Sequence, residues 1–371
     1  MRYYIIAGEA SGDLHGSNLI KEIIQMDEQP VIRCWGGDMM QQAGAELVKH
    51  YRELAFMGFI EVVKNLPAII RNIKFCKADI LAWQPDTLVL IDYPGFNMRI
   101  AEWASKQGFK IVYYISPQVW AWKENRVKKI KQYVDKMLVI LPFEKAFYKK
   151  WQYEVEYVGH PLIEVIEKEK LKPRAQAFSI KPIIALLPGS RQQEILKKLP
   201  VMLQVSKYFP DYQFVVAKAP GLESAFYQSL LQPYGNVSAV SGQTYALLRQ
   251  SEAALVTSGT ATLETALFGV PEVVCYKSSN ISYQIGKRLI KVKYISLVNL
   301  IMDKLIVKEL IQDALTAANL RQELQDLLTN PVRIAQLQED YRQLRQKLSE
   351  GGRASANAAR RIVDFCRQGK S

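Results

Sequence analysis

Four short stretches of the chain end an apolar run with residues that could do chemistry. The first, "GEASGDLHG", places Gly8, Glu9 and Asp13 between a strand-like run and a helix pattern from Leu14. Its glycines would let the backbone approach a ligand closely, and the helix start would offer N–H groups to an anion. A tight turn in which Asp13 caps the helix is the alternative. The pattern G-x-G-x-x-G is absent, which removes the main support for a nicotinamide or flavin site.

The second stretch, "LVLIDYPGFN", puts Asp92 directly after an apolar run. A carboxylate at the end of a strand faces the crevice in which α/β proteins bind ligands. Asp92 is therefore a candidate general base, since a carboxylate there could take a proton from a substrate hydroxyl. The alternative is an Asx turn that stabilises the bend at Pro94 and Gly95.

The third stretch, "ALLPGSRQQEI", carries Arg191 just before a helix pattern, with Glu194 near the start of that helix. A guanidinium group can bind phosphate through two parallel hydrogen bonds. A cation at a helix N-terminus is otherwise unfavourable, so the position predicts phosphate binding by Arg191. The motif has G-x-R where a nucleoside triphosphatase needs G-K-[ST], which argues against that class of enzyme.

The fourth stretch, "LVTSGTATLETALFGVP", opens a helix with Ser258, Gly259 and Thr260 and carries Glu264 one turn later, on the face of Thr260. These small residues leave room for a diphosphate on the amide groups, and Glu264 could bind a ribose diol. The alternative, a capping box, requires a spacing of three rather than four. A hydrogen bond to a charged group is worth roughly 1.5–3 kcal/mol and a helix-end interaction roughly 0.3–1 kcal/mol. We therefore expect Arg191 to contribute more to diphosphate binding than any single amide at Thr260.

The elements that must position these stretches alternate between strand and helix. Short runs that are apolar on both faces are typical of parallel strands covered by helices. The alternation predicts an α/β fold with two Rossmann-like halves. The charged, proline-containing stretch at 160–182 predicts a linker between them, and helix alone is expected after about residue 305. The predicted strands are Tyr3–Ala7, Thr87–Ile91, Ile111–Ile115, Met137–Leu141, Ile183–Leu187, Phe214–Ala217, Ala254–Thr257 and Glu272–Tyr276, and the predicted helices include Leu14–Met26, Arg99–Lys106, Gln192–Phe209, Thr260–Phe268, Lys308–Leu315, Arg321–Leu328, Pro331–Leu348 and Arg353–Arg367.

Composition places the chain among globular cytoplasmic proteins. Its 371 residues suggest two domains, and 49% are hydrophobic and 23% charged. The four cysteines and three histidines show neither disulfide nor metal-ligand spacing, and His160 in "VGHP" is interpreted as a structural or hinge residue. The apolar N-terminal run is too short for a signal peptide, and no window supplies the roughly 20 apolar residues that span a bilayer.

The net charge of +13 requires, or at least permits, a polyanionic partner or surface, which could be nucleic acid, an anionic membrane or a phosphorylated small molecule. Basic and aromatic residues cluster in "VWAWKENRVKKIKQYVDK" and in "GKRLIKVKYISL". Between Met57 and Ala78, apolar residues are mixed with Lys and Arg as in a membrane-surface helix. An ordinary amphipathic helix of the domain would show a similar pattern. No RNA-binding signature is present, so nucleic acid is not expected as a partner.

Taken together, the motifs resemble those of the lipid-A-disaccharide synthases, a glycosyltransferase family. They follow in order from residue 3 to about residue 312: "GEASGDLHG", "FMGFIEVV", "IDYPGFN", "YYISPQVWAWKENRVKKI", "LPFEKAFY", "VGHP", "LLPGSR", "SGTATLE" and "YISLVNLI…VKELIQ". The resemblance implies a two-domain GT-B fold and peripheral attachment to the inner membrane of a Gram-negative cell. It also implies an inverting transfer from UDP-2,3-diacylglucosamine to 2,3-diacylglucosamine 1-phosphate (lipid X), which yields a β-1,6-linked disaccharide and UDP.

By this resemblance, residues 1–165 form an acceptor and membrane-facing domain, 166–345 bind the UDP-sugar, and 346–371 form a helix that packs back on the first domain. No cofactor or metal is implied, and a homodimer is left open. The family's pattern is not followed at Val298, at Asp303-Lys304, where many members have Gly-Arg, or at Gly95, where many have a second acid. The family's functional positions fall on Asp92, Glu9 and Ser11 as catalytic residues and on Arg191, Ser258, Gly259, Thr260, Glu264, Asn299, Glu309 and Gln312 as substrate-binding residues.

Two other functions would account for part of the sequence. A different GT-B enzyme, such as a UDP-GlcNAc epimerase or a peptidoglycan glycosyltransferase, would share the nucleotide-binding half but would lack "GEASGD" together with "SPQVWAW". A non-enzymatic RNA-binding function would explain the positive net charge but none of the motifs. In the favoured hypothesis, the UDP diphosphate lies on Ser258–Thr260 and Arg191, the acceptor lies near Glu9 and Asp92, and a cleft between the halves brings the two together.

Overall fold

The computed structural model describes residues 1–54, 66–173, 175–219, 221–279, 283 and 292–368. The chain divides into two compact units, one made of Met1–Pro161 with Leu348–Ser371 and the other of Leu162–Lys347. Three features from the sequence lie outside the described residues: "FMGFIEVV", residues 57–65 of the membrane-type segment, and Lys287, Arg288 and Lys291 of the second basic cluster. None of the helices within the described ranges is long and apolar enough to cross a membrane.

The first unit is built on a seven-stranded sheet in the order β3-β2-β1-β4-β5-β6-β7, with every neighbouring pair parallel. Its central strand β4 reads TLVLI and is buried along its whole length, as expected for a strand covered by helices on both faces. The strands are β1 Arg2–Ala7, β2 Val31–Gly36, β3 Glu46–His50, β4 Thr87–Ile91, β5 Lys110–Tyr114, β6 Lys136–Val139 and β7 Glu156–Tyr157.

Helices cover both faces of this sheet. The last one returns from the end of the chain, where Ala358, Ile362 and Val363 pack with Leu19 and Ile20 in the same core. Polar contacts hold both ends of this helix: Arg353, directly before it, pairs with Glu22 of the first helix, and Lys110 donates to the carbonyls of Phe365 and Cys366 near its end. The helices are α1 Ala10–Met26, α2 Asp38–Gln42, α3 Leu66–Trp83, α4 Pro94–Lys106, α5 Val119–Trp122, α6 Val127–Tyr133, α7 Glu144–Lys149 and, numbered last in the chain, α16 Ala354–Arg367.

The second unit repeats this plan with a six-stranded parallel sheet in the order β10-β9-β8-β11-β12-β13. In both sheets the strand order reverses beside the first strand, which is the point at which doubly wound folds bind ligands. The strands are β8 Ile183–Leu187, β9 Gln213–Lys218, β10 Val237–Ser241, β11 Ser251–Thr257, β12 Glu272–Tyr276 and β13 Lys308–Ile311, and the helices are α8 Pro161–Leu171, α9 Gln192–Ser206, α10 Ser224–Leu231, α11 Thr244–Leu248, α12 Thr260–Phe268, α13 Leu297–Met302, α14 Ala317–Thr329 and α15 Pro331–Ser349.

The predicted fold class is confirmed, but two local predictions are wrong. The supposed linker contains α8, whose apolar residues Leu162, Ile163 and Ile166 are buried despite the dense charge around them. The helix predicted at Lys308–Leu315 is instead β13 followed by a short 3-10 helix, because the segment pairs with β12 from Val273↔Lys308 to Tyr276↔Ile311. A short run of mixed polarity is compatible with both the helical and the strand periodicity. Here the segment becomes a strand because it can pair with β12 at the edge of the sheet. The sequence analysis also missed β2, β3, β7 and β10.

Candidate active site

The two acidic candidates of the first unit lie at the ends of neighbouring strands. Strand β1 pairs with β4 in a register that sets Ala7 against Ile91. Glu9 follows Ala7 by two positions and Asp92 follows Ile91 by one, so the two carboxyl groups belong to one edge of the sheet. Glu9 is the residue that precedes α1, in extended conformation, and Ser11 is exposed in the first turn of that helix.

Asp92 sits in a backbone turn that few residue types adopt. Asp92 and Tyr93 both have left-handed conformations, with φ of 45° and 48°. Such residues cost of order 1–3 kcal/mol each and require the surroundings to hold them in place. The carbonyl of Asp92 accepts hydrogen bonds from Asn97 Nδ2 at 2.8 Å and from the Tyr113 hydroxyl at 2.5 Å, and these two buried side chains fix the turn.

The environment of Asp92 favours a proton acceptor that works near neutral pH. Burial raises the pKa of its carboxyl to about 6, and the negative charge of Glu9 adds to the increase, against a hydrogen bond from the backbone at Tyr93. A general base is most effective when its pKa lies near the working pH. The geometry therefore suits removal of a proton from a substrate hydroxyl at this edge.

The glycine-rich loop before α1 has a packing role that the sequence analysis did not foresee. A Cβ on Gly8 would lie 2.3 Å from the ring of Tyr93, so only glycine permits this contact beside Asp92. The alternative interpretation, in which Asp13 caps its own helix, is wrong, because α1 begins earlier, at Ala10. The Asp13 carboxylate instead accepts hydrogen bonds from the backbone N–H groups of Gly37, Met39 and Met40 and so caps α2.

In the second unit, two glycines shape the edge at which β8 and β11 end side by side. Gly189 has a φ of 118° and Gly259 a φ of 146°, conformations that side chains rarely adopt. A cavity of about 260 Å³ lies between these turns. It is lined by Gly189, Ser190, Glu194, Lys218, Thr244, Thr257, Ser258, Gly259, Thr260 and Glu264, together with four apolar residues.

A row of alternating charges borders this cavity. Arg191 Nη1 lies 3.2 Å from Glu194 Oε1, and Glu194 Oε2 lies 3.6 Å from the Nζ of Lys198. The ammonium group of Lys198 is buried, hydrogen-bonded to the hydroxyl of Thr257, and burial lowers its pKa. Arg191 itself is 59% exposed at the start of α9 and is not among the residues that line the cavity.

Lys198 and Lys218 are cations that the sequence analysis missed. Lys198 stands four positions after Glu194, a spacing that indicates a salt bridge on one helix face. Nothing in the sequence indicates that Lys198 would contact Thr257, at the end of β11. Lys218 ends β9 and donates to Ser224 Oγ at 3.0 Å.

The remaining candidates form a network behind the cavity. The amide of Asn299 donates to the carbonyl of Val307 and to Glu309, and its oxygen accepts from the N–H groups of Ile306 and Val307. Glu309 also accepts from the N–H of Ile295, whose carbonyl accepts from Ser258 Oγ at 2.8 Å. Asn299 and Glu309 therefore hold the segment on which the Ser258 hydroxyl rests.

Gln312 braces the strand next to this network. It has a φ of 53°, is buried, and accepts from the N–H of Ser278 at 2.6 Å. Asp303, where the family resemblance implies glycine, ends α13 with a φ of 47°, a conformation open to glycine, asparagine and aspartate. Its neighbour Lys304 pairs with the buried Asp340 at 2.7 Å.

Glu264 lies where two cavities of the second unit share a wall. Its Oε1 accepts a hydrogen bond from the Tyr245 hydroxyl at 2.7 Å, and burial raises its pKa. Glu264 and Thr244 line both the cavity at the glycine turns and a larger one of about 630 Å³ that also includes Tyr245. Helix α12 begins after Gly259 without a side-chain cap, so Thr260 and Glu264 do not form a capping box.

Histidine and acidic residues do not build a metal centre in the described part of the chain, where no group of three or more His, Cys, Asp or Glu could hold an ion. His160 is buried at the end of the first sheet, and burial together with the charge of His15 lowers its pKa to about 3. Burial likewise lowers the pKa of His15 to about 4. Both side chains are neutral at physiological pH.

Comparisons with known proteins agree on one family. The family model described as "Lipid-A-disaccharide synthetase" matches residues 3–363. A lipid-A-disaccharide synthase of Geobacter metallireducens is 40% identical over 95% of this chain and 94% of its own length, and that of Geobacter sulfurreducens is 39% identical over the same shares.

Solved structures share the fold at low sequence identity. A UDP-GlcNAc 2-epimerase from Neisseria meningitidis bound to UDP-GlcNAc has a TM-score of 0.69 at 14% identity, covering 98% of this chain and 99% of that one. A calicheamicin glycosyltransferase has a TM-score of 0.61 at 16% identity, covering 98% and 97%. These similarities establish the GT-B glycosyltransferase architecture of two parallel sheets with flanking helices.

Proposed function

The chain belongs to the lipid-A-disaccharide synthase family, and on that premise we propose that it transfers a diacylglucosamine group from UDP-2,3-diacylglucosamine to 2,3-diacylglucosamine 1-phosphate. The products are the β-1,6-linked lipid A disaccharide 1-phosphate and UDP. The observation that carries the proposal is the position of Asp92 at a strand end, where Asn97 and Tyr113 hold its backbone carbonyl and burial raises the pKa of its carboxyl group to about 6.

In the proposed reaction Asp92 accepts the proton of the acceptor 6-hydroxyl. The hydroxyl oxygen forms a bond to C1 of the donor sugar while the bond from C1 to the UDP oxygen breaks on the opposite face, so the configuration at C1 inverts. The proton stays on the Asp92 carboxyl and the electron pair leaves with UDP. Positioned proton transfer of this kind contributes typically 10²–10⁴-fold to the rate.

The departing UDP is negatively charged, and the second unit offers N–H groups and cationic side chains that can stabilise this charge. In the proposal its diphosphate lies in the 260 Å³ cavity, against the N–H groups after Ser258 and near Lys218 and Lys198. Arg191 adds a cation at the rim, and Glu264 binds the ribose, with Tyr245 fixing its carboxylate. These cations could neutralise a diphosphate without a metal ion.

Asn299, Glu309 and Gln312 take an indirect part in this proposal. The side chains of Asn299 and Glu309 bond to backbone groups and to each other, which orders the segment at Ile295 and, through it, the hydroxyl of Ser258. Gln312 acts on a different segment, since it accepts from the N–H of Ser278. We therefore assign them as positioning residues for the nucleotide site.

The proposal includes peripheral attachment to an anionic inner membrane through α3. Ile70, Phe75 and Leu81 are each exposed by more than two fifths, at 45%, 48% and 43%, and are interspersed with basic residues such as Arg71 and Lys74. Apolar and basic residues together favour an anionic lipid surface. Both proposed substrates carry acyl chains, so an enzyme on that surface would meet them there.

The experiment is a transfer assay with purified protein and both proposed substrates, followed by thin-layer chromatography and mass spectrometry of the lipid product. We expect a disaccharide 1-phosphate and one UDP per product, in the presence of a chelator as well as without one, and almost no product with Asp92→Asn. UDP-GlcNAc serves as the competing substrate. Epimerised UDP-sugar with no disaccharide would overturn the proposal in favour of a nucleotide-sugar epimerase.

A further inference from the structure

A cavity of the first unit lies directly beside the turn that holds Asp92. Its volume is about 220 Å³, and Pro94 and Gly95 form part of its wall. Three cations and three apolar side chains complete most of the lining: Arg99, Arg126 and Lys129, and Met98, Val119 and Ile130.

The cations that converge here are weakly paired with protein groups. Lys129 lies 3.8 Å from Glu102, and because both side chains are well exposed, such a pair contributes little. The guanidinium of Arg126 lies over the ring of Trp122, 5.5 Å from its centroid. Among the described residues Arg99 has no ion-pair partner. The cavity therefore has an excess of positive charge over an apolar floor.

We propose that this cavity binds the phosphate and sugar ring of the acceptor lipid, so that Arg99, Arg126 and Lys129 recognise the 1-phosphate. This inference rests on the proposed function. Guanidinium groups bind phosphate oxygens through paired hydrogen bonds, and the apolar side chains can cover a sugar face. Drug-sized ligands occupy about 300–1,000 Å³, so a cavity of 220 Å³ suits the polar head group and leaves the acyl chains outside.

The position of the cavity is consistent with the proposed chemistry. Pro94 and Gly95 follow Asp92 by two and three positions, so a sugar whose phosphate lies on the cations can direct a hydroxyl toward that carboxylate. Helix α3 packs against α4 through Cys76 and Ile100 in one core and exposes Phe75 on its outer side. The acyl chains then have an apolar surface on the same unit.

The first test measures binding alone, which keeps it independent of the transfer reaction. Glucosamine 1-phosphate is titrated into the full-length protein by NMR with saturating UDP present, so that the nucleotide site is occupied. We expect saturable binding that weakens at least tenfold in Arg126→Gln and in Arg99→Gln. The matched control is Lys128→Gln, which removes one charge two positions after Arg126, in the first turn of α6, at a position that does not line the cavity.

The control ligands identify what is recognised. Glucosamine without phosphate is expected to bind at least tenfold more weakly than glucosamine 1-phosphate, and inorganic phosphate to compete with it. Equal binding by the wild type and by both cavity variants would overturn the proposal, as would an equal loss in Lys128→Gln, which would indicate unspecific attraction by the basic surface. Circular dichroism shows whether each variant is folded.

The second test uses turnover to separate acceptor recognition from membrane attachment. The ratio of kcat/KM for the acceptor with its 1-phosphate to kcat/KM for the dephosphorylated acceptor is measured in detergent micelles. We expect this ratio to fall about 10- to 100-fold in Arg126→Gln and to stay unchanged in Lys128→Gln. An equal decrease in kcat/KM for both acceptors would mean that the cavity does not recognise the phosphate.

Vesicle binding supplies the remaining arm of the experiment. If the cavity binds an anionic membrane headgroup instead, Arg126→Gln will lose affinity for vesicles that contain phosphatidylglycerol while its acceptor ratio stays unchanged, and that result also overturns the proposal. Absence of any transfer by the wild type would contradict the proposed function, while the binding titration would still decide the assignment of the cavity.

Discussion

Glu9 acts on Asp92 through space, from the end of the neighbouring strand: its negative charge adds to burial in raising the pKa of the Asp92 carboxyl to about 6. A neighbouring negative charge makes ionisation of a carboxyl group less favourable. The sequence shows the two acids 83 positions apart, since they are residues 9 and 92. Only the register of β1 with β4 makes them a pair.

The first prediction concerns the pH dependence of turnover. The base must be ionised, so the rate is expected to rise with pH through about 6. Removing the charge of Glu9 lowers the pKa of Asp92, so Glu9→Gln should move this acidic limb to lower pH. Because a sugar phosphate also titrates near pH 6, the displacement of the limb, and not its presence, is the test.

The measurement is kcat between pH 4.5 and 8 for the wild type, Glu9→Gln and the control Glu28→Gln, an exposed acid on the loop after α1. The control should follow the wild type. An identical limb in all three proteins would show that Glu9 does not influence the base.

The second prediction separates catalysis from nucleotide binding. Asp92→Asn should lower kcat by about 10²–10⁴-fold, because the amide cannot take the proton. Its Kd for UDP, measured by calorimetry, should match the wild-type value, since UDP binds to the other unit in the proposal. A fully active variant would eliminate Asp92 as the base.

The third prediction concerns stability at the same residue. The folded-state pKa of Asp92 lies above its ordinary value of 3.8, so the ionised carboxyl opposes folding. This cost is absent below about pH 4, grows between pH 4 and 6, and is complete above pH 6. Asparagine cannot ionise and also tolerates the left-handed conformation, so Asp92→Asn should increase the free energy of unfolding by about 1–3 kcal/mol at pH 8 relative to its effect at pH 4.

Urea unfolding at the two pH values measures this difference. If the variant changes stability equally at pH 4 and pH 8, the carboxyl is not destabilised by its surroundings and the pKa argument fails.

The fourth prediction concerns the nucleotide site. Arg191→Ala should weaken UDP binding about tenfold, and Lys198→Met by at least as much, because Lys198 is buried beneath the glycine turns while Arg191 is largely exposed. Lys197→Ala is the matched control on α9. Unchanged UDP affinity in both variants, determined by calorimetry on folded protein, would move the diphosphate elsewhere.

The fifth prediction concerns membrane attachment. Replacing Ile70 and Phe75 together by serine should reduce co-sedimentation with vesicles of phosphatidylethanolamine and phosphatidylglycerol about tenfold or more, since each apolar side chain that is buried contributes about 1–2 kcal/mol. High salt should weaken the wild-type interaction because of the basic residues on α3. Leu196→Ser, which removes an exposed apolar side chain of similar exposure from the second unit, should have no effect.

Much of this protein could be predicted from the order of its residues. The apolar runs that became β1, β4, β8 and β11 are local features, and parallel strands buried on both faces have a pattern that needs no partner to be recognised. The turns after these strands are equally local, since Gly189 and Gly259 mark positions where the backbone needs a positive φ. The fold class and the four chemically dense strand ends could therefore be predicted from the sequence.

The contacts between those strand ends could not be predicted, because they depend on which strands become neighbours. Strand β13 was mistaken for a helix since its pairing with β12 joins segments more than thirty residues apart. Asp13 caps α2 and not its own helix because α2 begins beside it only after β1 and β2 have paired. The order of residues thus places the chemically active side chains at the strand ends. The effect of burial and of Glu9 on the pKa of Asp92, and the contact of Lys198 with Thr257, arise when the sheets assemble, because burial and the proximity of charges depend on the folded chain.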